Sequence, residues 1–547
     1  MSETQTRAAH FFDQAVQHHQ AGRLKEAQSL YRQVLTIEPK HADSLHLLGL
    51  IAREGGDTAA ARELVRKSIA LDSENATFHN TLGVIEQETG KLDLAVSSLR
   101  RAISIEADYA EAHGNLGNAL REQGRLEEAE QAYRRAIALQ PRYSKAYNNL
   151  GIVLKEQGQL EDAVASYRRA IELSPRYAEA HNNLGTALMA GDRLGEAAAA
   201  FSQAVALRPA YAEAHNNLGV VLKEQDKLAD AEASYRQATV LDPTLVDAHV
   251  NLGHVLFDQG KRDAAAGAAA AARKLGPPAG AVHFPLGDLL LKLGDSKAAE
   301  SHLRSYLAFD RADRMGARLL LASFGAEALP PQASEAFVRD LYARRAGFWD
   351  RTATAEHPYR GAKLVADTAL KLLAGKSDAS VLDAGCGTGL VGALLRSHVG
   401  RLDGVDLSPA MVLAAEQKGI YDSLAEGDLI AFLNEHPQSY DAVVSAATLI
   451  HFGDLRPVFD AAQAALRPNG IFVFTAFPHD AETPSSGFAV APITGLAYGG
   501  CYAHGPSYLR RTAEAAGFSV AVLDRETHEH HRGQPVAGLI VALRRKT

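Results

Sequence analysis

Apolar positions in the first three fifths of the chain recur at helical spacing, in a pattern that repeats itself. Between Tyr147 and Tyr177 apolar residues fall three and four apart on both sides of Gly158, which predicts two helices with a break between them. A Leu-Gly pair puts glycine at Gly49, Gly83, Gly117, Gly151, Gly185, Gly219, Gly253 and Gly287, each 34 residues after the last. A small residue keeps the same period at Ala27, Ala61, Ala95, Ala129, Ala163, Ala197, Ala231, Ala265 and Ala299. Proline closes most units, at Pro39, Pro141, Pro175, Pro209, Pro243 and Pro277, with Ser73 and Ala107 as exceptions. Gly151 and Ala163 are small where two helices must approach closely, and Pro175 stops the second helix. One such pair cannot bury its apolar face alone, so successive pairs are expected to stack into a solenoid. The first unit has Ala15 where later ones have glycine, and the register fades after Phe324, so both ends read as caps.

A Pro-Pro pair within Gly325–Ser334 breaks the helical period. The expected division is a repeat array over 1–325, a linker over 326–334 and a second domain over 335–547. There short apolar runs alternate with helical segments, the sign of an α/β domain with a largely parallel sheet. Ser380–Asp383 reads as a strand running into the loop Ala384-Gly-Cys-Gly-Thr-Gly389, then a helix over Leu390–His398. A second strand, Arg401–Val405, ends in Asp406, and a third closes in Glu426-Gly-Asp428. Tyr440–Ala446 is the fourth, Ile471–Ala476 the fifth, and Phe518–Arg525 and Val536–Arg544 are the last two.

At 547 residues the chain exceeds a single hydrophobic core, in line with that division. An apolar fraction of 46% and a charged fraction of 22% belong to an ordinary globular protein, and a net charge of -8 argues against a general nucleic-acid binder. Two cysteines, Cys386 and Cys501, provide no disulfide framework, as suits a reducing compartment. The first residues lack the apolar core of a signal peptide, and no run of 18 apolar residues occurs, so a cytoplasmic protein without a membrane span is expected.

The repeats resemble the tetratricopeptide repeat, a helix–turn–helix unit. Asn115, Asn149, Asn183, Asn217 and Asn251 stand immediately before the Leu-Gly pair, so the period returns each to the same face. These units are similar to those of O-linked N-acetylglucosamine transferase, a likeness that implies an asparagine ladder holding the backbone of an extended polypeptide. An amide supplies donor and acceptor together, which matches a peptide unit. The alternative is that each asparagine bonds only within its own turn.

In the second domain VLDAGCGTG, GVDLSPAM, EGD, YDAVVS and LRPNG resemble, in order, the motifs of class I S-adenosylmethionine-dependent methyltransferases. YRGAKLVAD, SLAEGDLIAF, CYAHGPSYLRR and PVAGLIVALRR carry a closer likeness to a bacterial group with repeats ahead of such a domain. The expected fold class is therefore an α-solenoid followed by a Rossmann-like α/β domain. The likeness implies that Gly385, Cys386, Gly387 and Gly389 press backbone against the methionine part of S-adenosyl-L-methionine, while Asp383 orients its amino group. It implies that Asp406, with Leu407, binds the ribose, and that Asp428 and Leu429 flank the adenine. A carboxylate ending the second strand can accept from both ribose hydroxyls. Tyr342, Trp349 and Arg360 are expected to cover the pocket, with Arg360 either meeting the methionine carboxylate or solvated at the surface.

A methyl group on a sulfonium is already activated, so the protein must align, exclude water and remove a proton where needed. His451 follows the fourth strand, and His504 lies with Tyr498, Cys501 and Tyr502 in an insertion over Pro478–Pro506. Both histidines suit proton removal, and Tyr502 suits a substrate contact. Structural alternatives remain: His451 capping the next helix, His504 steadying its loop, Tyr502 packing. His528, His530 and His531 read as a solvated hairpin turn without a metal. The resulting expectation is methyl transfer to a protein or peptide in the repeat groove. A small-molecule or glycan acceptor with the repeats as scaffold is the first alternative, a non-catalytic interaction protein the second.

Overall fold

The computed structural model describes residues 3–276, 280–347, 349–352, 359–479, 488–490, 501–531 and 534–547. It divides into two compact units, Met1–Gln225 and Asp226–Thr547.

The first unit is a succession of helical hairpins, Glu3–Gln20 with Leu24–Ile37 and so on to Ala178–Ala190 with Leu194–Leu207, closed by Ala212–Glu224. The periodic glycine is explained by the residue sixteen places on, which lies in the second helix of the hairpin. A Cβ on Gly117, Gly151 or Gly185 would stand 2.7 Å from the ring of Tyr133, Tyr167 or Phe201. Those rings are wholly buried and form one continuous core with the leucines and alanines around them. Gly158 takes φ +80° in the turn between helices, where Asp192 takes the equivalent place at +57°. Successive hairpins are also joined by polar pairs: Arg53 with Glu88 (2.6 Å), Gln87 with Glu122 (2.7 Å) and Arg121 with Glu156 (3.2 Å).

The second unit opens with further helices, among them Val246–Asp258, Arg262–Lys274, His283–Leu293, Ser296–Phe309 and Ala317–Ser323; Pro277 lies outside the described residues. An α/β layer structure follows. Its strands are β1 Ser380–Ala384, β2 Arg401–Asp406, β3 Ser423–Glu426, β4 Tyr440–Ser445, β5 Leu466–Pro478, β6 Phe488–Val490, β7 Tyr502–His504, β8 Phe518–His531 and β9 Gln534–Arg545. The order β3-β2-β1-β4-β5 is parallel throughout, β9 joins β5 antiparallel, and β8 joins β9. Side-chain alternation along β4 sends Val443 to one core and Ala442 and Val444 to the other. Helix Gly361–Leu373 covers one face, and Arg456–Ala465 and Pro506–Ala515 cover the other.

Two departures from the sequence reading matter for the site. The last hairpin is longer than its apolar run, so His528 and His530 lie in β8 and not in a solvated turn. A register shift between Thr527 and Glu529 turns His528 inward, where it is 1% exposed and 3.2 Å from the Thr475 hydroxyl. Gly538 makes the room, since a Cβ there would stand 2.6 Å from that of His528. No group of three metal-binding side chains occurs among the described residues.

The expected linker is the second departure. Pro331 accepts hydrogen bonds from Gly453 and Asp454 (2.8 and 2.9 Å), Ala333 donates to the His451 carbonyl (2.8 Å), and Gln332 bridges to Phe452. Leu319, from the helix before this strap, shares an apolar cluster with Phe337, Leu341 and Tyr502. Among the described residues no helix is long and apolar enough to cross a membrane.

Candidate active site at the carboxyl edge of the sheet

Strand order reverses between β1 and β4, and the loops leaving their carboxyl ends enclose a cavity, the usual ligand position in an open α/β sheet. Gly385, Gly387 and Gly389 take φ of +74°, +54° and +89°, a region side chains avoid. Gly385 is required a second time, because a Cβ there would collide with the Thr448 side chain. At Gly387 a Cβ would meet nothing within 4 Å, so a side chain would enter the cavity itself.

β2 holds this loop. Gly385 and Cys386 donate to the Val405 carbonyl (2.8 and 3.0 Å), and Gly387 N–H donates to Asp406 Oδ2 (2.8 Å). Ser408 N–H donates to Asp406 Oδ1 (2.8 Å), leaving further lone pairs on both carboxylate oxygens. Burial pushes the Asp406 carboxyl above its ordinary value. Asp406, Leu407, Asp428 and Leu429 line the cavity together with Gly385, Cys386 and Gly387. Asp428 also caps helix Leu429–Glu435 through Ala431 N–H (2.9 Å). Burial drives the Cys386 thiol well above its usual value, so it stays a small neutral lining group. Glycine backbone without side chains, a carboxylate at the end of β2 and the Asp428–Leu429 wall leave room for the methionine, ribose and adenine parts of the nucleoside that the motifs imply.

Three expected contacts fall outside the cavity lining. Asp383 is wholly buried beneath the loop, its Oδ2 accepting from Gly392 N–H (3.1 Å) and the Tyr421 hydroxyl (2.7 Å). It braces the loop against helix Leu390–Leu395, and burial pushes its carboxyl up to about 7. Gly389 begins that helix against Tyr421. Arg360 is exposed, and it is its backbone N–H that is engaged, with the His528 carbonyl (2.9 Å). Its neighbour Tyr359 lines the cavity instead, as do Thr388, whose hydroxyl bonds Asp350, and Met411. Thr388 lay within a recognised motif. Asp350 and Tyr421 carried no sequence signal, because their partners come from other elements.

The cavity is also lined by aromatic side chains, Tyr342, Trp349, Tyr359 and Phe452, together with Thr448 and His451. His451 lies in a 3-10 turn, Leu449–His451, and Leu455 is the N-cap of the next helix, so capping is not its role. Its Nε2 is 2.9 Å from the Tyr342 hydroxyl, and burial pushes the ring down to about 4.

His504 and Tyr502 are corrected. His504 Nε2 is shared between the Phe452 and Gly453 carbonyls (2.9 and 3.1 Å), its ring stacks on Tyr508, and it does not line the cavity. Tyr502 donates to the Pro330 carbonyl (2.7 Å), anchoring the strap. The insertion partly forms β6 and β7, which extend the end of β5; Tyr498 lies outside the described residues.

In the first unit the ladder amides bond to the preceding repeat, and Asn149 also accepts from its neighbour Asn148 (3.1 Å). Nδ2 of Asn115, Asn149, Asn183 and Asn217 donates to Oδ1 of Asn80, Asn118, Asn148 and Asn182 at 2.9 to 3.1 Å. One donor of each is thereby spent, and the side chains stay half-buried. Asn251, in the second unit, is also half-buried and engaged.

Comparison with known proteins adds to this geometry. The family described as tetratricopeptide repeat matches residues 12–76 and 76–109, and that of the cilia and flagella-associated protein 70 C-terminal domain matches 104–319. The family described as methyltransferase domain matches 381–470, from β1 to the start of β5. A malonyl-[acyl-carrier protein] O-methyltransferase of Acetivibrio thermocellus is 32% identical over 121 residues, 21% of this chain and 43% of that protein. A ubiquinone biosynthesis O-methyltransferase of Xylella fastidiosa is 34% identical over 107 residues, 18% of this chain and 42% of that one. The chain thus spans less than half the length of the curated relatives it matches. Among solved structures, MamA is 26% identical and covers 30% of this chain and 96% of its own, with a TM-score of 0.28. YrrB, described as a TPR protein with an unusual peptide-binding site, is 23% identical, covering 34% and 96%, at 0.30.

Proposed function

For a chain that joins tetratricopeptide repeats to a methyltransferase domain, we propose methyl transfer from S-adenosyl-L-methionine to a polypeptide held by the repeats. The observation that carries the donor assignment is the cavity wall in which the glycine loop, Asp406 and Asp428–Leu429 converge. When bound, the donor supplies a methyl group already activated on a positive sulfur. The chain's own residues then bind, align and exclude water. Backbone at Gly385–Gly387 takes the methionine end, Asp406 the ribose hydroxyls, and Asp428 with Leu429 the adenine. Among the described residues no lysine or arginine lines the cavity, which favours a neutral acceptor group over a carboxylate or phosphate. The remaining hydrogen-bonding capacity of Asn115, Asn149, Asn183 and Asn217 supports the polypeptide reading.

A second reading, a small-molecule or glycan acceptor with the repeats as scaffold, is favoured by the engagement of those same amides between repeats. Calorimetry with S-adenosyl-L-methionine tests the donor: Asp406→Ala should weaken binding by about 1.5–3 kcal/mol, the range for hydrogen bonds to a charged group. Unchanged affinity, or preference for a nicotinamide dinucleotide, refutes it. Isotope-labelled donor in cell lysate, followed by mass spectrometry, separates the acceptors by whether label enters polypeptide or small molecules.

A further inference from the structure

The turn Leu449–His451 and the residues after it are gripped on several sides. The strap holds the backbone through Ala333 to the His451 carbonyl and through Pro331 to Gly453 and Asp454. From β7, His504 holds the Phe452 and Gly453 carbonyls. The imidazole of His451 makes one hydrogen bond, between Nε2 and the Tyr342 hydroxyl at 2.9 Å, the two rings meeting edge to face at 5.5 Å. Its other nitrogen, Nδ1, is closed off from solvent and has no partner, on a residue that is 4% exposed and lines the cavity. An unmatched buried polar atom is costly, so one on a side chain that lines a ligand cavity points to a ligand that completes it.

We propose that His451 Nδ1 receives the proton of the methyl acceptor, and that Tyr342, on the helix leading out of the repeats, is its positioning residue. The inference rests on the methyl-transfer reading above and names the acceptor group as a neutral hydroxyl or amine. A lone pair of the acceptor atom forms the bond to the methyl carbon, and the carbon–sulfur pair stays on sulfur. The acceptor's proton passes to Nδ1, so one positive charge moves from sulfur to imidazole and the charge of the cavity is conserved. The ring is neutral near pH 7, as proton acceptance requires. In this arrangement Nε2–H donates to the Tyr342 oxygen, which leaves the lone pair on Nδ1 for the acceptor's proton.

Nitrogen NMR of the full chain with labelled histidine, the His451 signals assigned by their loss in His451→Asn, reads this without an acceptor. Nδ1 should be the unprotonated nitrogen. In Tyr342→Phe the preference should give way to a mixture of tautomers. A proton on Nδ1 in the wild-type chain overturns the inference, and an unaltered tautomer in Tyr342→Phe overturns the positioning role. A full chain that binds no S-adenosyl-L-methionine fails the methyl-transfer reading itself, a result distinct from either.

Discussion

Three buried histidines, His451, His504 and His528, are each held down at about 4 by desolvation. Their folded values lie below the unfolded value near 6.5, so the neutral rings contribute stability above that pH. The contribution is lost as pH falls from 6.5 through 4, on the order of 3 kcal/mol per ring. Asp383 slopes the other way: its carboxyl is raised from 3.8 to about 7, so its contribution is lost as pH rises through that interval. His504→Gln can still donate to the Phe452 and Gly453 carbonyls but cannot titrate. Urea unfolding at a series of pH values should show the variant gaining on the wild-type chain as pH falls from 6.5 to 4. A gap that stays constant over that range excludes His504 as a source of acid lability. None of this was legible from residue type alone. His528 read as solvent-facing and His504 as substrate-facing, because burial depends on β5, β7 and Pro331 arriving beside them.

At the level of elements the period of the sequence translates directly into packing. Gly151 faces Tyr167 at a distance that leaves no space for a methyl group, whereas Gly267, in helix Arg262–Lys274, meets nothing within 4 Å. Gly151→Ala should therefore destabilise by about 1–3 kcal/mol through overpacking. Gly267→Ala should be neutral or stabilising by up to about 1 kcal/mol through helix propensity. Denaturant unfolding of the full chain compares the two, and equal effects would refute the glycine–ring account. Seven of the strands and the parallel character of the sheet were readable from apolar runs and motif spacing; β6 and β7, inside the insertion, were not. Nor were strand ends: β5, β8 and β9 run past their apolar runs because backbone pairing continues beyond them, through buried polar residues such as His528 in β8. The asparagine ladder was likewise readable as a period, but its bonding from repeat to repeat depends on hairpin stacking.

For the whole molecule, the strap removes the simple picture of two domains on a free linker. The second unit contains repeat helices as well as the sheet, and the segment between them forms part of the cavity wall. A fragment beginning at Ser334 loses the bonds made by Pro330, Pro331 and Ala333 and the packing of Leu319. Relative to a fragment beginning at Ser296 it should be less stable by about 2–5 kcal/mol, several hydrogen bonds at about 0.5–1.5 each. Unfolding curves of the two fragments decide this, and equal stability would restore the free linker. Periodicity and motif order by themselves determined the repeat array, the parallel sheet and the glycine loop with Asp406, because each is encoded by residues close in sequence. Only the tertiary structure decided that Asp383 braces the loop, that His451 and not His504 faces the cavity, and that the strap walls it. Those roles are set by which distant backbone and side-chain groups desolvate and bond one another, and no local pattern in the chain carries that information.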